Sequence, residues 1–469
     1  MLLIPWLARP NRVINDLKSV CPTIAICAFA PEGTLDAKSR ITLGTAKSRF
    51  EPSLYYIFPL DTLSHSLRPA KRRAHNFMIF NTWDYYLLFL VPSAILFRVS
   101  RPSIRPWIIV FGGSAFFIYF SYTQLGGAIG AACILIFLWE SFVSRFYKPG
   151  SWFCFAGIIQ TIFFLCLFKY RNFISGLIWP DPAHNPLFWK NAFLPLGISF
   201  FTFEFIHYAY DRYRNRTEEG TVGEYMAFIL FFPTMVAGPI KRYQDFLPKI
   251  RATPTDWVLD TQRATTRILS GLAKKFGIAD LLTAYTNHLN MADIARADRG
   301  LLILWLFSYG IKIYVDFSAY SDIAIGSARL FGIKVPENFD WPYLQTNIMD
   351  FWRHWHISLS TWLMDYVYIP LGGSRVSLPR IYFNLLVTMF ISGLWHGAGL
   401  NFIVWGLLHG LMLAANRWWR HRTRDAAATS TAAAWGSWAL TFVAVNFAWA
   451  FFCMDIHTAV FYFQRLVRG

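Results

Sequence analysis

The sequence predicts an all-α, polytopic integral membrane protein with about 9–11 transmembrane helices and re-entrant segments around a central funnel. Hydrophobic residues make up 55% of the 469 residues and charged residues only 15%, and the mean hydropathy is +0.35. This composition is too apolar for an ordinary soluble protein. Apolar windows of roughly the 20 residues needed to cross a bilayer recur along the chain.

The apolar windows begin shortly after Met78. We place them at 83–98, 106–122, 124–143, 152–168, 192–209, 300–316, 381–397, 402–416 and 435–453. A further apolar stretch, MAFILFFPTMVAGPI (226–240), is interrupted by Pro233, Gly238 and Pro239. Irregular backbone at membrane depth is tolerated only where it is buried in protein or lines a cavity. We therefore predict a re-entrant segment at 226–240.

Residues 1–77 differ in composition from the rest of the chain. Their short apolar run, TIAICAFA (23–30), is too short to span a membrane, although with its basic flank it is similar to a secretory signal. The alternative, which we favour, is that translation starts at Met78, because MIFNTWDYYLLFLVP is a natural beginning for a first membrane helix. We thus divide the chain into an N-terminal extension, 1–77, and a membrane domain, 78–469.

The net charge of +17 does not indicate nucleic-acid binding. The basic residues form short clusters between apolar windows, as in RVSRPSIR (98–105), DRYRNR (211–216) and RWWRHRTR (417–424). Nucleic-acid binding requires a folded basic module, whereas such clusters are typical of cytoplasmic loops beside anionic lipid. The six cysteines form no C-x-x-C pair, so neither a zinc site nor a disulfide framework is predicted.

Ionisable residues inside the apolar region mark candidate functional positions, because they are costly in lipid and normally face a bundle interior or an aqueous cavity. Four groups qualify: Asp316, Ser318, Tyr320, Ser321 and Asp322; Arg353, His354, His356 and Asp365 in FWRHWHISLSTWLMDYVYIPLGG; His396; and His409. Histidine exchanges a proton near neutral pH at little cost. It is therefore the default general base.

On a helix, the geometry would separate the two histidines of the stretch 351–373. His354 and His356 lie two positions apart and point about 200° away from each other. They cannot bind one metal ion as an i, i+4 pair can. Trp352, His356 and Ser360 share one helical face, which we predict to line the funnel, and His354 is interpreted as an interfacial group. We also expect His356 to pair with another histidine in the funnel.

Two further histidines admit alternatives. His396 is either a residue at the end of a helix, since Gly397 and Gly399 follow it as stop signals, or a group beside which these small residues leave room for a substrate. Gly393 and Gly397 would also permit close helix packing. His409 is either a hydrogen-bonded packing histidine or a residue with a direct role. We expect His396 to be the histidine that pairs with His356.

Two function classes are compatible with these residues. One is a membrane enzyme with a histidine base, and the other is a proton-coupled transporter whose His and Asp residues form a relay. Transporters often carry structural repeats, and the chain has no second copy of DFSAYSD or WRHWHISLS. The carboxylates also cluster in one central block. Both observations favour the enzyme.

Several long motifs resemble one family. They are FPTMVAGPIKRYQDFLPKI (232–250), DFSAYSDIAIGSARLFGIKVPENFDWPY (316–343), FWRHWHISLSTWLMDYVYIPLGGSR (351–375), GLWHGAGLNFIVWGLLHG (393–410) and FAWAFFCMDIHTAVFYFQRL in the tail. In this order they are similar to the membrane-bound O-acyltransferase superfamily, in particular to its bacterial alginate O-acetyltransferase branch. The branch that transfers D-alanine to teichoic acid shares the central histidines, but SDIAIG and PENFDWPY resemble the alginate branch more closely.

The resemblance implies catalytic roles for two histidines. The family's essential membrane histidine falls on His396, and the second active-site histidine of the bacterial branches falls on His356. Ala319 and His354 stand where the family usually has Gly and Arg. The residues that we expect to contact substrate are Trp352, Ser360, Asp316, Lys241 and Arg242, the last two by attracting donor phosphates on the cytoplasmic approach.

The resemblance also implies the reaction and its surroundings. The donor would be acetyl-CoA on the cytoplasmic side, with no metal and no tightly bound cofactor. The acceptor would be an extracellular polysaccharide such as alginate, reached through an extracytoplasmic SGNH-type acetyltransferase partner. The protein would be a multi-pass protein of the bacterial inner membrane, surrounded by lipid. Transfer of D-alanine or another acyl group to a cell-wall polymer is the alternative.

The charge distribution predicts an orientation for the histidine motif. Arg375, Arg380 and the cluster 417–424 flank two apolar windows, whereas the linker GAGLN between these windows carries no charge. Both basic ends should therefore be cytoplasmic and the linker should point outward. Residues 381–396 rise about 24 Å against a core of about 30 Å, which places His396 towards the outer half.

Overall fold

The computed structural model describes residues 79–125, 127–190, 194–252, 256–423 and 430–468, with the backbone alone for 122–125 and 127–132. The predicted extension, 1–77, lies outside these residues. The helices are α1 (Val91–Val99), α2 (Arg105–Leu125), α3 (Gly127–Ser144), α4 (Phe153–Leu165), α5 (Arg171–Ile178), α6 (Ile198–Tyr213), α7 (Val222–Ile229), α8 (Tyr243–Arg251), α9 (Trp257–Lys274), α10 (Asp280–Thr286), α11 (Met291–Ile294), α12 (Arg299–Leu330), α13 (Ile348–His354), α14 (Ile357–Leu363), α15 (Leu378–His396), α16 (Leu400–Arg422), α17 (Thr431–Ala448), α18 (Ala450–Cys453) and α19 (Ile456–Arg468). Short 3₁₀ turns lie at Ile79–Asn81 and Pro342–Leu344, and π-helical turns at Tyr85–Leu90, Cys166–Tyr170, Lys275–Ala279 and Met364–Tyr368.

The all-α membrane fold is confirmed. Every predicted apolar window overlaps a helix. Among the described residues, four helical stretches are long and apolar enough to cross a bilayer: Phe153–Ile178, Arg299–Leu330, Leu378–His396 and Thr431–Cys453. Two shorter apolar helices lie at Tyr85–Val99 and Cys133–Ser144. The number of crossings beyond these four, and the central funnel, stay predictions.

Helix α12 extends well beyond its predicted window, 300–316. It has 32 residues and is therefore about 48 Å long, against a hydrocarbon core of about 30 Å. Its second half carries Asp316 and Asp322, both buried. A basic residue neutralises each acid, because Asp316 lies 2.9 Å from Lys275 and Asp322 lies 2.6 Å from Arg267. Paired charges allow the helix to continue through the protein interior.

The segment 226–240 has the irregular backbone that its prolines and glycine predict. Helix α7 ends at Ile229, and residues 231–240 form successive turns that are almost entirely buried. The backbone N–H of Ile240 donates to Ser358 Oγ at 3.0 Å. Protein therefore surrounds this backbone, as irregular structure at membrane depth requires.

The residues around His354 and His356 do not form one continuous helix, so the helical geometry assumed for these two histidines is wrong. Helix α13 ends at His354, and Trp355 is extended, with φ −104° and ψ 127°. His356 lies in the left-handed region, with φ 44°, immediately before α14 begins at Ile357. The positive φ is uncommon for a residue other than glycine. The polar motif is therefore two short helices joined at a sharp turn.

The turn at His356 forms because an upstream segment pairs with it. Phe339 and Trp355 form an antiparallel bridge, and the N–H of Ile357 donates to the carbonyl of Asn338 at 2.9 Å. These bonds satisfy backbone groups that a continuous helix would have satisfied internally. Tertiary pairing thus overrides a local sequence that contains no helix breaker.

Helices α15 and α16 cross in close contact. A Cβ on Gly393 would lie 3.1 Å from the Cα of Gly406 and would overlap the carbonyl oxygen of Phe402. The interpretation that Gly393 permits close helix packing is therefore confirmed. The space that its missing side chain leaves is occupied by α16, which fixes where α15 ends.

Candidate active site

His356 is oriented by Asn338. Its Nδ1 lies 3.1 Å from Asn338 Oδ1, and the same oxygen accepts hydrogen bonds from Ser358 N at 3.3 Å and Ser358 Oγ at 2.8 Å. An amide oxygen only accepts, so Nδ1 of His356 must carry the proton and Nε2 the lone pair. In the part of the chain that the structure describes, Nε2 is buried without a hydrogen-bond partner. His356 therefore offers a free hydrogen-bond acceptor inside the protein.

Asn338 is itself immobilised. It is fully buried, and its Nδ2 donates to Ser321 Oγ at 3.2 Å. The ring of Phe317 packs edge-on against His356, with 4.6 Å between ring centroids. The imidazole is thus held both by a hydrogen bond to one nitrogen and by ring packing, and such support limits it to one tautomer and one orientation.

His396 is the last residue of α15, and three aromatic rings surround it. The ring centroids of Trp395, Trp405 and Phe452, which we call the aromatic cage, lie 4.8, 5.1 and 5.0 Å from that of His396. The residue is only half-buried, and its imidazole forms no hydrogen bond with any described residue. An imidazole that is neither bonded nor fully covered is free to meet a substrate.

His356 and His396 share a neighbour. The indole of Trp395 lies 6.1 Å from the His356 ring, between centroids, and also packs against His396. The structure therefore brings together the two histidines that the motifs predict as a pair. Their catalytic roles stay a prediction.

The end of α15 is anchored by the π-helical turn Cys166–Tyr170. Lys169 Nζ donates to the carbonyl of Trp395, and Tyr170 Oη donates to the carbonyl of Leu394 at 2.5 Å. The last carbonyls of a helix have no partner within the helix, and a cation at this end is favoured by the helix dipole. These two bonds hold the backbone immediately before His396.

Trp352 orients His409 and not His356. Its Nε1 donates to His409 Nδ1 at 3.3 Å. Ser360 Oγ instead donates to the carbonyl of Trp355 at 3.0 Å. The prediction that Trp352, His356 and Ser360 line one helical face is wrong, because the helix is interrupted between the first two residues.

Lys241 does not line a cytoplasmic approach, which corrects the prediction for this residue. It is 2% exposed and forms an ion pair with Glu204 on α6. Its ammonium also lies 4.6 Å from the ring centroid of Phe228. A buried, neutralised cation cannot attract donor phosphates from solution. The window 192–209 was treated as uniformly apolar, which hid the acidic partner.

Two other predicted contacts are also ion-paired. Arg242 is partly exposed, and its guanidinium lies 2.6 Å from Asp365, so its charge is matched. Asp316 pairs with Lys275 inside the protein. These pairs support helix packing, and the structure shows neither Arg242 nor Asp316 beside the histidines.

A cavity of about 250 Å³, lined by both polar and apolar groups, reaches Asn338 from the side of α9 and α12. Its polar lining residues are Arg267, Lys274, Ser318, Ser321, Asp322, Glu337, Asn338 and Asp340. Lys274 Nζ lies 2.7 Å from Asp322, so the charges lining the cavity are partly paired. Ser318, Ser321 and Asp322 are among the residues predicted to face the interior, whereas Asn338 and Lys274 were not predicted. The signal for Asn338 is its place in PENFDWPY, a polar side chain among aromatic residues.

The arrangement offers hydrogen bonding and proton transfer. Among the described residues, no three His, Cys, Asp or Glu side chains lie close enough to share a metal ion. His356 presents a buried acceptor, and the partly buried His396 presents its imidazole within the aromatic cage. His396 thus has the properties of a general base, and His356 those of a hydrogen-bonding group that supports it.

Comparison with known proteins gives the family. The model of MBOAT, the membrane-bound O-acyltransferase family, matches residues 158–457. The chain is 37% identical over 335 residues to the "probable alginate O-acetylase AlgI" of Pseudomonas aeruginosa, covering 71% of this chain and 60% of that protein. It is 32% identical over 394 residues to the protein of the same name from Pseudomonas syringae pv. tomato, covering 81% of this chain and 74% of that protein. It is 36% identical over 331 residues to the "peptidoglycan O-acetyltransferase" of Helicobacter pylori, covering 63% of this chain and 60% of that protein.

The chain spans less than two thirds of the length of the Pseudomonas aeruginosa and Helicobacter pylori relatives. The matched residues nevertheless include the anchoring turn Cys166–Tyr170, Asn338, His356 and His396. The site described above thus lies wholly within the part that defines the family. The chain belongs to the membrane-bound O-acyltransferase family.

Proposed function

We propose that the protein transfers an acetyl group from acetyl-CoA to a hydroxyl group, for the O-acetylation of an extracytoplasmic polysaccharide. The observation that carries this proposal is His396: a half-buried imidazole without a hydrogen bond to any described residue, at an anchored helix end within the aromatic cage. Such a group suits proton abstraction from a hydroxyl. Its enclosure also suits an acyl thioester, which water would otherwise hydrolyse.

The residues suggest a sequence of steps. His396 takes the proton from the acceptor hydroxyl. At the same time the hydroxyl oxygen forms a bond to the carbonyl carbon of the thioester. The carbon–sulfur bond then breaks, and the departing thiolate receives the proton from the His396 imidazolium. The second N–H of this imidazolium donates to a bridging water, which in turn donates to Nε2 of His356. The products are an O-acetyl ester and free CoA thiol.

The relatives support the proposed acceptor and location. The names of the three relatives concern acetylation of alginate or peptidoglycan, and both polymers present hydroxyl groups outside the cytoplasmic membrane. A protein in the bacterial inner membrane would receive the donor on one side and deliver acetyl groups on the other. An SGNH-type extracytoplasmic acetyltransferase would be the partner that completes transfer to the polymer.

The test is acetyl transfer by purified protein in proteoliposomes. Radiolabelled acetyl-CoA is supplied on one side, and release of CoA thiol and labelling of an alginate oligosaccharide are measured with and without an SGNH-type partner. His396→Ala should lower the rate by about 10²–10⁴-fold, the usual contribution of a general base, without loss of protein. His457→Ala removes an exposed histidine and serves as the matched control.

Two outcomes would contradict the proposal. If His396→Ala transfers acetyl groups at the wild-type rate, this residue is not the base. If the wild-type protein moves protons or a solute but consumes no acetyl-CoA, the transporter is the better description. The double variant His356→Ala/His396→Ala should be little slower than either single variant, because residues that act as a unit are not additive.

A further inference from the structure

Helix α16 carries two buried N–H donors that have no acceptor among the described residues. They are Nε1 of Trp405 and Nε2 of His409, and the two residues are 1% and 0% exposed. Being four positions apart, they lie on the same face of the helix. Their rings are in contact, with 4.8 Å between centroids.

The hydrogen bond from Trp352 identifies Nε2 of His409 as a donor. An indole N–H can only donate, so Nδ1 of His409, which receives it at 3.3 Å, must hold a lone pair. In the neutral imidazole the proton is therefore on Nε2. His356 has the opposite arrangement, because its Nδ1 donates to Asn338 and its Nε2 is the acceptor. The two buried histidines thus present complementary groups.

These donors lie beside His396. Trp405 is a wall of the aromatic cage, with 5.1 Å between its ring centroid and that of His396, and it also packs against the ring of His409. A buried donor without an acceptor costs about 1–3 kcal/mol. Native structures rarely keep such groups without a reason. Two of them on one helix face, next to the candidate base, indicate an acceptor atom that arrives with the substrate.

We propose that Trp405 Nε1–H and His409 Nε2–H donate hydrogen bonds to the carbonyl oxygen of the acyl group as it reacts at His396. This inference rests on the proposed function. When the hydroxyl oxygen adds to the carbonyl carbon, the carbon–oxygen π pair moves onto the carbonyl oxygen, which becomes negatively charged. The two donors stabilise this charge until the pair returns, the carbon–sulfur bond breaks and the thiolate leaves. Fixed donors that need no reorganisation are effective for such a charge.

Trp352 has a different role in this arrangement. It donates to Nδ1 of His409 and not to the acyl carbonyl, so it is a positioning residue and not a catalytic one. Its N–H holds the proton of His409 on Nε2. Without that bond the proton would be shared between both ring nitrogens, and only part of the population would have the donor in place.

The test compares kcat and KM of His409→Leu, Trp405→Phe and the wild type in the proteoliposome assay. Each variant should lower kcat by about 10²–10³-fold, as loss of one such donor does, with little change in KM. His409→Gln, which retains an N–H donor, should recover part of the loss. Exposed residues supply the matched controls, His421→Leu and Trp435→Phe.

A kcat within twofold of the controls for His409→Leu and Trp405→Phe would overturn the inference, and so would equal losses for His409→Gln and His409→Leu. If His409→Leu does not accumulate, Trp352→Phe decides, because it keeps the ring and removes only the N–H. It should lower kcat several-fold, and an unchanged kcat would overturn the inference. The proposed function fails separately, through an inactive wild type or a fully active His396→Ala.

Discussion

Removal of Asn338 should disable His356 without touching its ring. Asn338→Ala deletes the acceptor of His356 Nδ1, the acceptor of two bonds from Ser358, and the donor to Ser321 Oγ. At about 1 kcal/mol net for each of these four hydrogen bonds, the free energy of unfolding should fall by about 4 kcal/mol. The imidazole would then be free to rotate and to change tautomer. We expect kcat to fall by about 10²-fold, because a misoriented His356 no longer supports the base His396.

The replacement by aspartate separates orientation from stability. In Asn338→Asp one carboxylate oxygen still accepts from His356 and Ser358, and the other can accept from the Ser321 hydroxyl. Its kcat should therefore lie between those of the wild type and Asn338→Ala. Acetyl transfer in proteoliposomes and thermal unfolding in detergent are measured on the same preparations. Asn290→Ala, which removes an exposed helix-capping asparagine, is the control for loss of an amide.

Two results would refute the reasoning about Asn338. One is a wild-type kcat for Asn338→Ala in protein that is clearly less stable, since that would make the asparagine purely structural. The other is a kcat for Asn338→Asp as low as that for Asn338→Ala, since then the acceptor oxygen would not be what matters.

Three further predictions concern charged residues. Lys241→Met leaves the buried Glu204 unpaired and should destabilise the protein by about 3–5 kcal/mol. The double variant with Glu204→Leu should recover most of this stability. Equal melting temperatures for Lys241→Met and the wild type would contradict the prediction. Lys169→Met removes the donor to the Trp395 carbonyl and should lower kcat about tenfold or more through displacement of the neighbouring base; an unchanged kcat would refute it. Arg251 lowers the pKa of Glu224 below its usual 4.5, so this pair should stabilise the protein, by about 1 kcal/mol, above that pH and lose its contribution as pH falls through the lowered pKa. The melting temperature of Glu224→Gln should accordingly lie below that of the wild type at neutral pH and approach it in acid, and a constant difference would argue against the pair.

The helices were predictable because their signal is local. Length and apolar composition define a membrane helix almost regardless of its neighbours, and each window from 83–98 to 435–453 overlaps a helix. The irregular segment 226–240 was predictable for a similar reason, since Pro233 and Pro239 remove backbone donors within a few residues of each other. Neither inference needed knowledge of what lies across the interface.

The partners of the charged residues were not predictable in this way. Lys241 and Arg242 are adjacent to each other, yet one pairs with Glu204 and the other with Asp365. Neither pairing follows a helical spacing, and each depends on how distant helices pack. A basic pair next to a proline looks like a solvated loop when only neighbouring residues are considered. The expectation that Lys241 attracts donor phosphates on a cytoplasmic approach failed for that reason.

The turn at His356 shows where local rules stop. WRHWHISLS contains no glycine or proline, so helix propensity predicts continuity. The backbone turns because Asn338, at the end of a different motif, accepts hydrogen bonds at the start of the next helix. A residue forced to a positive φ outside a glycine position stores strain that the surrounding contacts must offset. The same contacts orient the imidazole, so the local exception and the candidate site have one cause.

The glycines after His396 restrict where a substrate can lie. A Cβ on Gly397 would overlap the ring of Phe402, so α16 fills the volume that these small residues leave. One of the two interpretations of GLWHGAG, that its glycines make room for a substrate, therefore does not hold at this residue. Space for an acyl group has to adjoin the uncovered part of the half-buried His396 ring. Trp405 is one wall of the aromatic cage around that ring, and it carries an N–H donor that lacks an acceptor among the described residues.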